Sequence, residues 1–310
     1  MAANEMWVGW WILVVLFASL AQTVRNAAQR SLTSELGTLA ATLVRFLYGL
    51  PFALVYLALL WLWLPQKQVL PQFSWVYLAW IVFGAAFQIA ATAALLLAMK
   101  ERNFAVVVTL TKTEVLQVAL FAAMFLHEVP TPLAMVAMAV ATSGLVLLSL
   151  PDSGRMGSLS AWLGRPALYG LACGACFAVA SVCFRGAALA LHASSPWVSG
   201  AWGVLCAQSL QTLGLGVWVA QRHPQGLRPV WRAWRVSLLA GAMGAAASLA
   251  WFSAYAMQSV GPVRTVGMAE VVFSYFVSRR LLLEQMRRNE KFGMMLVVLG
   301  VALVCVYGST

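Results

Sequence analysis

Apolar residues in this chain come in long unbroken runs separated by short polar gaps, not as a stripe along one face of each segment. Hydrocarbon about 30 Å thick is crossed by roughly 20 apolar residues in helical form. Runs of that length fall at 7–24, 38–64, 74–98, 104–126 and 132–150, then at 166–190, 196–220, 236–257, 262–283 and 291–308. The pattern predicts an all-α integral membrane protein with ten transmembrane helices. Its punctuation agrees. Thr131-Pro132 and Ser195-Pro196 each offer a capping hydroxyl followed by proline at the first helical position, and Gly261-Pro262 marks a third start. Pro51 lies inside the second run and predicts a kink there. Trp7, Trp10, Trp11, Trp61, Trp63, Trp75, Trp162, Trp197, Trp218, Trp231 and Trp234 stand near run ends, as an interfacial belt requires.

A repeat underlies the ten runs. Lys112-Thr113-Glu114-Val115 through Phe125-Leu126-His127-Glu128 resembles Met268-Ala269-Glu270-Val271 through Leu281-Leu282-Leu283-Glu284. One offset of 156 residues carries Glu114 onto Glu270 and Glu128 onto Glu284. Val24-Arg25-Asn26-Ala27-Ala28 matches Phe184-Arg185-Gly186-Ala187-Ala188 at an offset of 160. The halves are residues 1–150 and 166–310, five helices each. Five is odd, so the second half enters the membrane in the opposite sense. Two inverted five-helix repeats of this kind place a binding site at the midplane and work by alternating access.

Composition sharpens this picture. Of 310 residues, 62% are hydrophobic and 9% charged, against roughly 25% charged in a soluble domain. The net charge of +11 sits in the short gaps, where it meets headgroups and not nucleic acid. Fifteen of the 20 Lys and Arg residues lie in or beside the odd-numbered loops, and three in the even-numbered ones. The positive-inside rule puts the odd loops in the cytoplasm and both termini outside. Cys173, Cys176, Cys183, Cys206 and Cys305 all lie in apolar runs, so they read as packing residues, and His127, His192 and His223 have no metal-ligand spacing. The sequence calls for no metal and no cofactor. Gly170 and Gly174 at GxxxG spacing, and the small-residue run Ala240–Ala247, allow close helix approach.

Arg25 at the end of the first helix, Arg45 in Leu43-Val44-Arg45-Phe46-Leu47, and Glu128 and Glu284 closing the fourth and ninth helices carry a family resemblance. Together with the ten-helix layout, they make the chain similar to the drug/metabolite transporter superfamily, specifically its EamA-type members. The resemblance implies a bacterial inner-membrane protein that transports, often exports, a small organic metabolite. It also implies cytoplasmic termini, which the charge count opposes. The expected partners are a small-molecule substrate, protons and the bilayer, with the chain a monomer or homodimer. A lipid-linked flippase and a non-transporting membrane subunit are the alternatives. An enzyme is disfavoured for want of clustered His, Asp or Cys near an interface.

Candidate chemistry centres on two acids. Glu114 and Glu270 fall mid-run, where a carboxylate is costly unless paired, hydrated or protonated. Thr111, Glu114 and Gln117 recur every third residue, and Gly267, Glu270, Ser274 and Ser278 form a matching stripe. The functional expectation is a cavity where these carboxylates bind substrate or a coupling proton. The structural alternative is an ion pair, Lys112 accompanying Glu114 and Arg264 accompanying Glu270. Gln88, Trp251 and Tyr255 are further cavity candidates, with Gln208 and Gln211 beside them. Glu128 and Glu284 suit the N-terminal dipole of the helix that follows each. Arg25, Arg45 and Arg185 either snorkel to an interface or form a vestibule for anions.

Overall fold

The computed structural model describes residues 9–36, 38–63, 70–98, 110–149, 164–222, 234–274 and 288–307. Every regular element among them is helical. The helices are α1 (Trp10–Leu36), α2 (Thr38–Leu47), α3 (Leu50–Trp63), α4 (Trp75–Ala98), α5 (Glu114–Leu126), α6 (Pro132–Ser149), α7 (Arg165–Leu191), α8 (Pro196–Arg222), α9 (Trp234–Met257), α10 (Val260–Val266) and α11 (Arg288–Tyr307). A further helical stretch covers 269–274.

Both faces of these helices are apolar. On α1, Trp11, Val14, Val15 and Ala18 are buried while Trp10, Leu13, Phe17 and Leu20 are exposed. The outer stripe is helical in spacing and exposed among the described residues, which suits hydrocarbon and not water. Eight helical segments among the described residues are long and apolar enough to cross a bilayer. The exposed Trp61, Trp63, Trp75, Trp218 and Trp234 match the predicted belt. Trp11 does not, for it is 2% exposed and packs inward. Trp7, Trp162 and Trp231 lie outside the described residues.

The predicted caps form. Thr131 Oγ1 accepts from the Ala134 N–H and Ser195 Oγ from the Val198 N–H. The first helix runs on to Leu36, well past the predicted end at 24, since nothing after Arg25 breaks a helix until Gly37. The second span is interrupted at Tyr48-Gly49, just before Pro51, where the missing proline N–H makes continuity hardest to keep.

The chain forms two compact units, and each draws on both repeats. One comprises 1–86 with 183–257, the other 87–182 with 258–310. In the first, α9 packs most extensively on α1 and also meets α2, α3 and α8. Its small-residue run earns its place here: a Cβ on Gly241 would lie 2.6 Å from the Tyr48 backbone, so α9 rests directly on the α2–α3 break. In the second unit, α6 and α11 are the closest pair. A Cβ on Gly144 would stand 2.5 Å from the Gly293 carbonyl oxygen. Met138, Ala141, Leu145 and Val297 fill the core beside them, with Val115 and Met268.

Candidate functional site

The fourth and ninth spans, like the second, are interrupted, and in each of the two the break falls at its polar stripe. A turn at Lys112-Thr113 separates a short helical start from α5, and a turn at Gly267-Met268 separates α10 from the helix at 269–274. The hydrogen bonds of the two breaks correspond. Thr113 N–H donates to Leu110 O at 3.1 Å and Leu116 N–H to Thr113 O at 3.0 Å. Met268 N–H donates to Thr265 O and Val271 N–H to Met268 O, each at 3.0 Å. The two patterns lie 155 residues apart, within one residue of the offset relating Glu114 to Glu270. Bonds of i→i−3 type tighten the helix to about three residues per turn. That is why Thr111, Glu114 and Gln117, spaced by three, share one face.

One glycine shows this convergence. A Cβ on Gly174 of α7 would meet Thr111 O at 3.1 Å, Gln117 Nε2 at 3.3 Å and the Glu114 N at 3.6 Å. Thr111 Oγ1 also donates to Gly170 O at 3.3 Å. The GxxxG pair thus seats the broken start of the fourth span against the sixth. Gln117 Nε2 donates to Thr113 Oγ1 at 2.9 Å, while its Oε1 is buried with no hydrogen-bond partner among the described residues. Buried unsatisfied acceptors are rare in folded proteins.

Glu114 forms an ion pair with Arg264. The sequence reading set Arg264 beside Glu270, its neighbour along the chain; the fold instead brings it to the acid of the other repeat. Glu114 occupies the first turn of α5, and Arg264 the last turns of α10. Each charge therefore also faces the favourable end of its own helix dipole. The pair is partly open, with side chains 13% and 21% exposed. Lys112 lies half-buried at the turn and Glu270 half-buried beyond the second break. Gln88 lies on α4 in this same unit, its carbonyl accepting from Thr92 Oγ1. Ser278 and Glu284 lie outside the described residues.

Glu128 also caps a helix other than the one that follows it. Its Oε2 accepts from the Val260 N–H of α10 at 3.4 Å, because His127 adopts a left-handed conformation that turns the chain back after α5. Glu128, His127 and Ser259 border a cavity of about 270 Å³.

Trp251 and Tyr255 belong to the other unit. They stack at 6.1 Å between centroids, and Trp251 Nε1 donates to Gln22 Oε1 at 3.1 Å. Gln22 was passed over in the sequence, although a lone amide within the first apolar run was the available signal. Gln208 and Gln211 are almost fully buried on α8. Arg25 is 6% exposed, which overturns snorkelling for that residue. Arg185, its counterpart in the second repeat, donates to the carbonyl of Tyr255 at the end of α9. Cys173 is buried, its thiol bonding Ala91 O at 3.4 Å, and no metal-binding group of His, Cys, Asp or Glu occurs among the described residues.

Apolar helices exposed on their outer faces, with paired helix breaks around half-buried charges, fit a multi-pass membrane protein of the transporter kind. The EamA-like transporter family model matches the chain twice, over residues 9–150 and 164–306, and the chain belongs to that family. It is accordingly a transporter of small molecules. A solved crystal structure at 19% sequence identity shares its fold, with a TM-score of 0.71 and 96% of each chain covered. No curated protein matches the sequence.

Proposed function

We propose that the chain is a secondary transporter that moves a small organic metabolite across a bacterial inner membrane by alternating access, in the direction of export. Residues 1–150 and 166–310 serve as its two repeats, and Glu114 couples transport to protons. The observation that carries the reading is the pair of matched helix breaks with the Glu114–Arg264 ion pair at them. Irregular backbone at membrane depth persists only where protein or a water-lined cavity satisfies it, and interrupted helices in corresponding halves mark transport sites.

In this reading the Glu114–Arg264 pair ties the two breaks together in the resting state. A proton reaching Glu114 cancels this attraction and loosens the tie between the two breaks. Thr111 and Gln117 line the same face, with Lys112 at the turn beside them, and supply hydrogen bonds to substrate or water; Glu270 and Gln88 of the same unit join this candidate set, while Trp251 and Tyr255 are candidates within the other unit. Purified protein in liposomes with an internal pH-sensitive dye tests this. A substrate gradient should acidify or alkalise the lumen with wild-type protein and leave it unchanged with Glu114→Gln. Substrate flux without proton movement in the wild type would refute the coupling.

A further inference from the structure

We propose that Gln208 of α8, beside the break between α2 and α3, binds a neutral group that both donates and accepts a hydrogen bond. Water has that chemistry, and so does a hydroxyl or carboxamide on a transported molecule. The second source rests on the transport reading above. The site itself does not, and it lies in the unit that does not hold Glu114.

Gln208 stands twelve residues after Pro196 and fourteen before Arg222 in a span of membrane-crossing length. At the rise of an α-helix it is about 18 Å from the nearer end, at hydrocarbon depth. Its side chain is 3% exposed. Both polar atoms of its amide, Oε1 and Nε2, are buried without a hydrogen-bond partner among the described residues. Every residue of α8 within two turns of it is described, as are residues 45–53 around the break.

The amide is placed by a glycine. A Cβ on Gly49 would lie 2.9 Å from Oε1 and 3.3 Å from Nε2, so both ends of the amide lie close over the break. The backbone on either side of the break bonds along its own chain. Tyr48 N–H donates to Val44 O and Ala53 N–H to Gly49 O, each at 3.0 Å. Helix α9 closes on the same turn, a Cβ on Gly241 falling 2.7 Å from Tyr48 O. An amide buried without hydrogen bonds is costly, and hydrocarbon supplies no partner. A polar group entering beside Gln208 offsets that cost.

The amide also selects its partner, because it presents a donor and an acceptor side by side. A carboxylate only accepts, so it would bond Nε2 and repel Oε1. An ammonium only donates, so it would bond Oε1 and repel Nε2. A water, a hydroxyl or a second carboxamide meets both atoms at once, closing a ring of two hydrogen bonds. Buried waters typically make about three hydrogen bonds to groups of this kind.

Electron cryo-microscopy of the full chain in lipid nanodiscs, at a resolution that shows ordered water, tests the site. Density should stand within about 3.2 Å of both Oε1 and Nε2. An isolated peak identifies water. Density extending beyond one atom, with a neutral hydroxyl or amide compound in the native mass spectrum, identifies a bound molecule. Either result supports the proposal. An amide with no density beside it, or one whose two atoms bond only protein groups, would overturn it. So would a carboxylic acid or an amine bound there. Gln208→Met keeps the length of the side chain and removes both polar atoms, so the density should be lost; its persistence would also overturn the proposal. The wild-type map decides by itself where the variant fails to fold. The map is of resting protein and needs no flux. Density at Gln208 beside a failed proton-flux experiment leaves this site standing without the coupling, and the reverse result overturns this proposal alone.

Discussion

Replacing Glu114 by Gln preserves shape and removes charge, and the structure sets the scale of the response. Breaking a fully buried ion pair leaves an orphaned charge that costs about 3–5 kcal/mol. Here the charge left behind is Arg264, which cannot lose its proton. Its side chain is 21% exposed and sits in the last turns of α10, where helix carbonyls face it. Water and those carbonyls reduce the penalty to about 1–3 kcal/mol. Glu114→Gln should therefore insert and fold, melting several degrees lower, while coupled flux falls to background. Arg264→Gln should be milder in stability, because an orphaned carboxylate can take up a proton, and a carboxyl group cannot be stranded as a guanidinium can. The double variant removes both charges and should recover most of the lost stability without recovering transport. Melting curves of all three proteins beside proteoliposome flux provide the measurement. Normal proton-dependent flux in Glu114→Gln, or recovery of flux in the double variant, would refute the reasoning. Stability and flux recovering together would make the pair a structural tie.

Three further outcomes follow from the packing and the charge pattern. Gly174→Leu should push the broken start of the fourth span off α7, lowering stability by about 1–3 kcal/mol and reducing flux; unchanged flux would show that the Thr111–Gln117 face is not held by this contact. Gly293→Val places a branched side chain where even a Cβ would be 2.7 Å from the Gly144 oxygen, so the protein should fail to accumulate in membranes, measured by immunoblot. A reporter active only outside the cytoplasm should be active when fused after Thr310, because fifteen basic residues mark the opposite side; cytoplasmic fluorescence at that position would reverse the topology.

The sequence by itself determined the class of protein and most of its helices. Runs of about 20 apolar residues in hydrocarbon have one favourable form, since a helix satisfies its own backbone. The caps at Thr131 and Ser195 and the break near Pro51 were legible for the same local reason: they depend on chemistry within one turn. The repeat, too, was written in the spacing of Glu114 and Glu270. Only the tertiary structure decided which charges meet. Arg264 lies 150 residues from Glu114, and its position beside Glu270 in the chain pointed to the wrong partner. Glu128 likewise reaches the Val260 N–H at the start of α10, a contact 132 residues away along the chain that its place before the following helix did not announce. The interruption of the fourth span was hidden because no proline or glycine marks Lys112-Thr113, and Gly267, which does stand at the ninth-span break, was read only as part of a polar stripe. Arg25 looked like a snorkelling terminus for a related reason. Its distance from the end of the apolar run was readable, but its burial depends on α2 and α9 closing over it, and that contact spans more than 200 residues of chain.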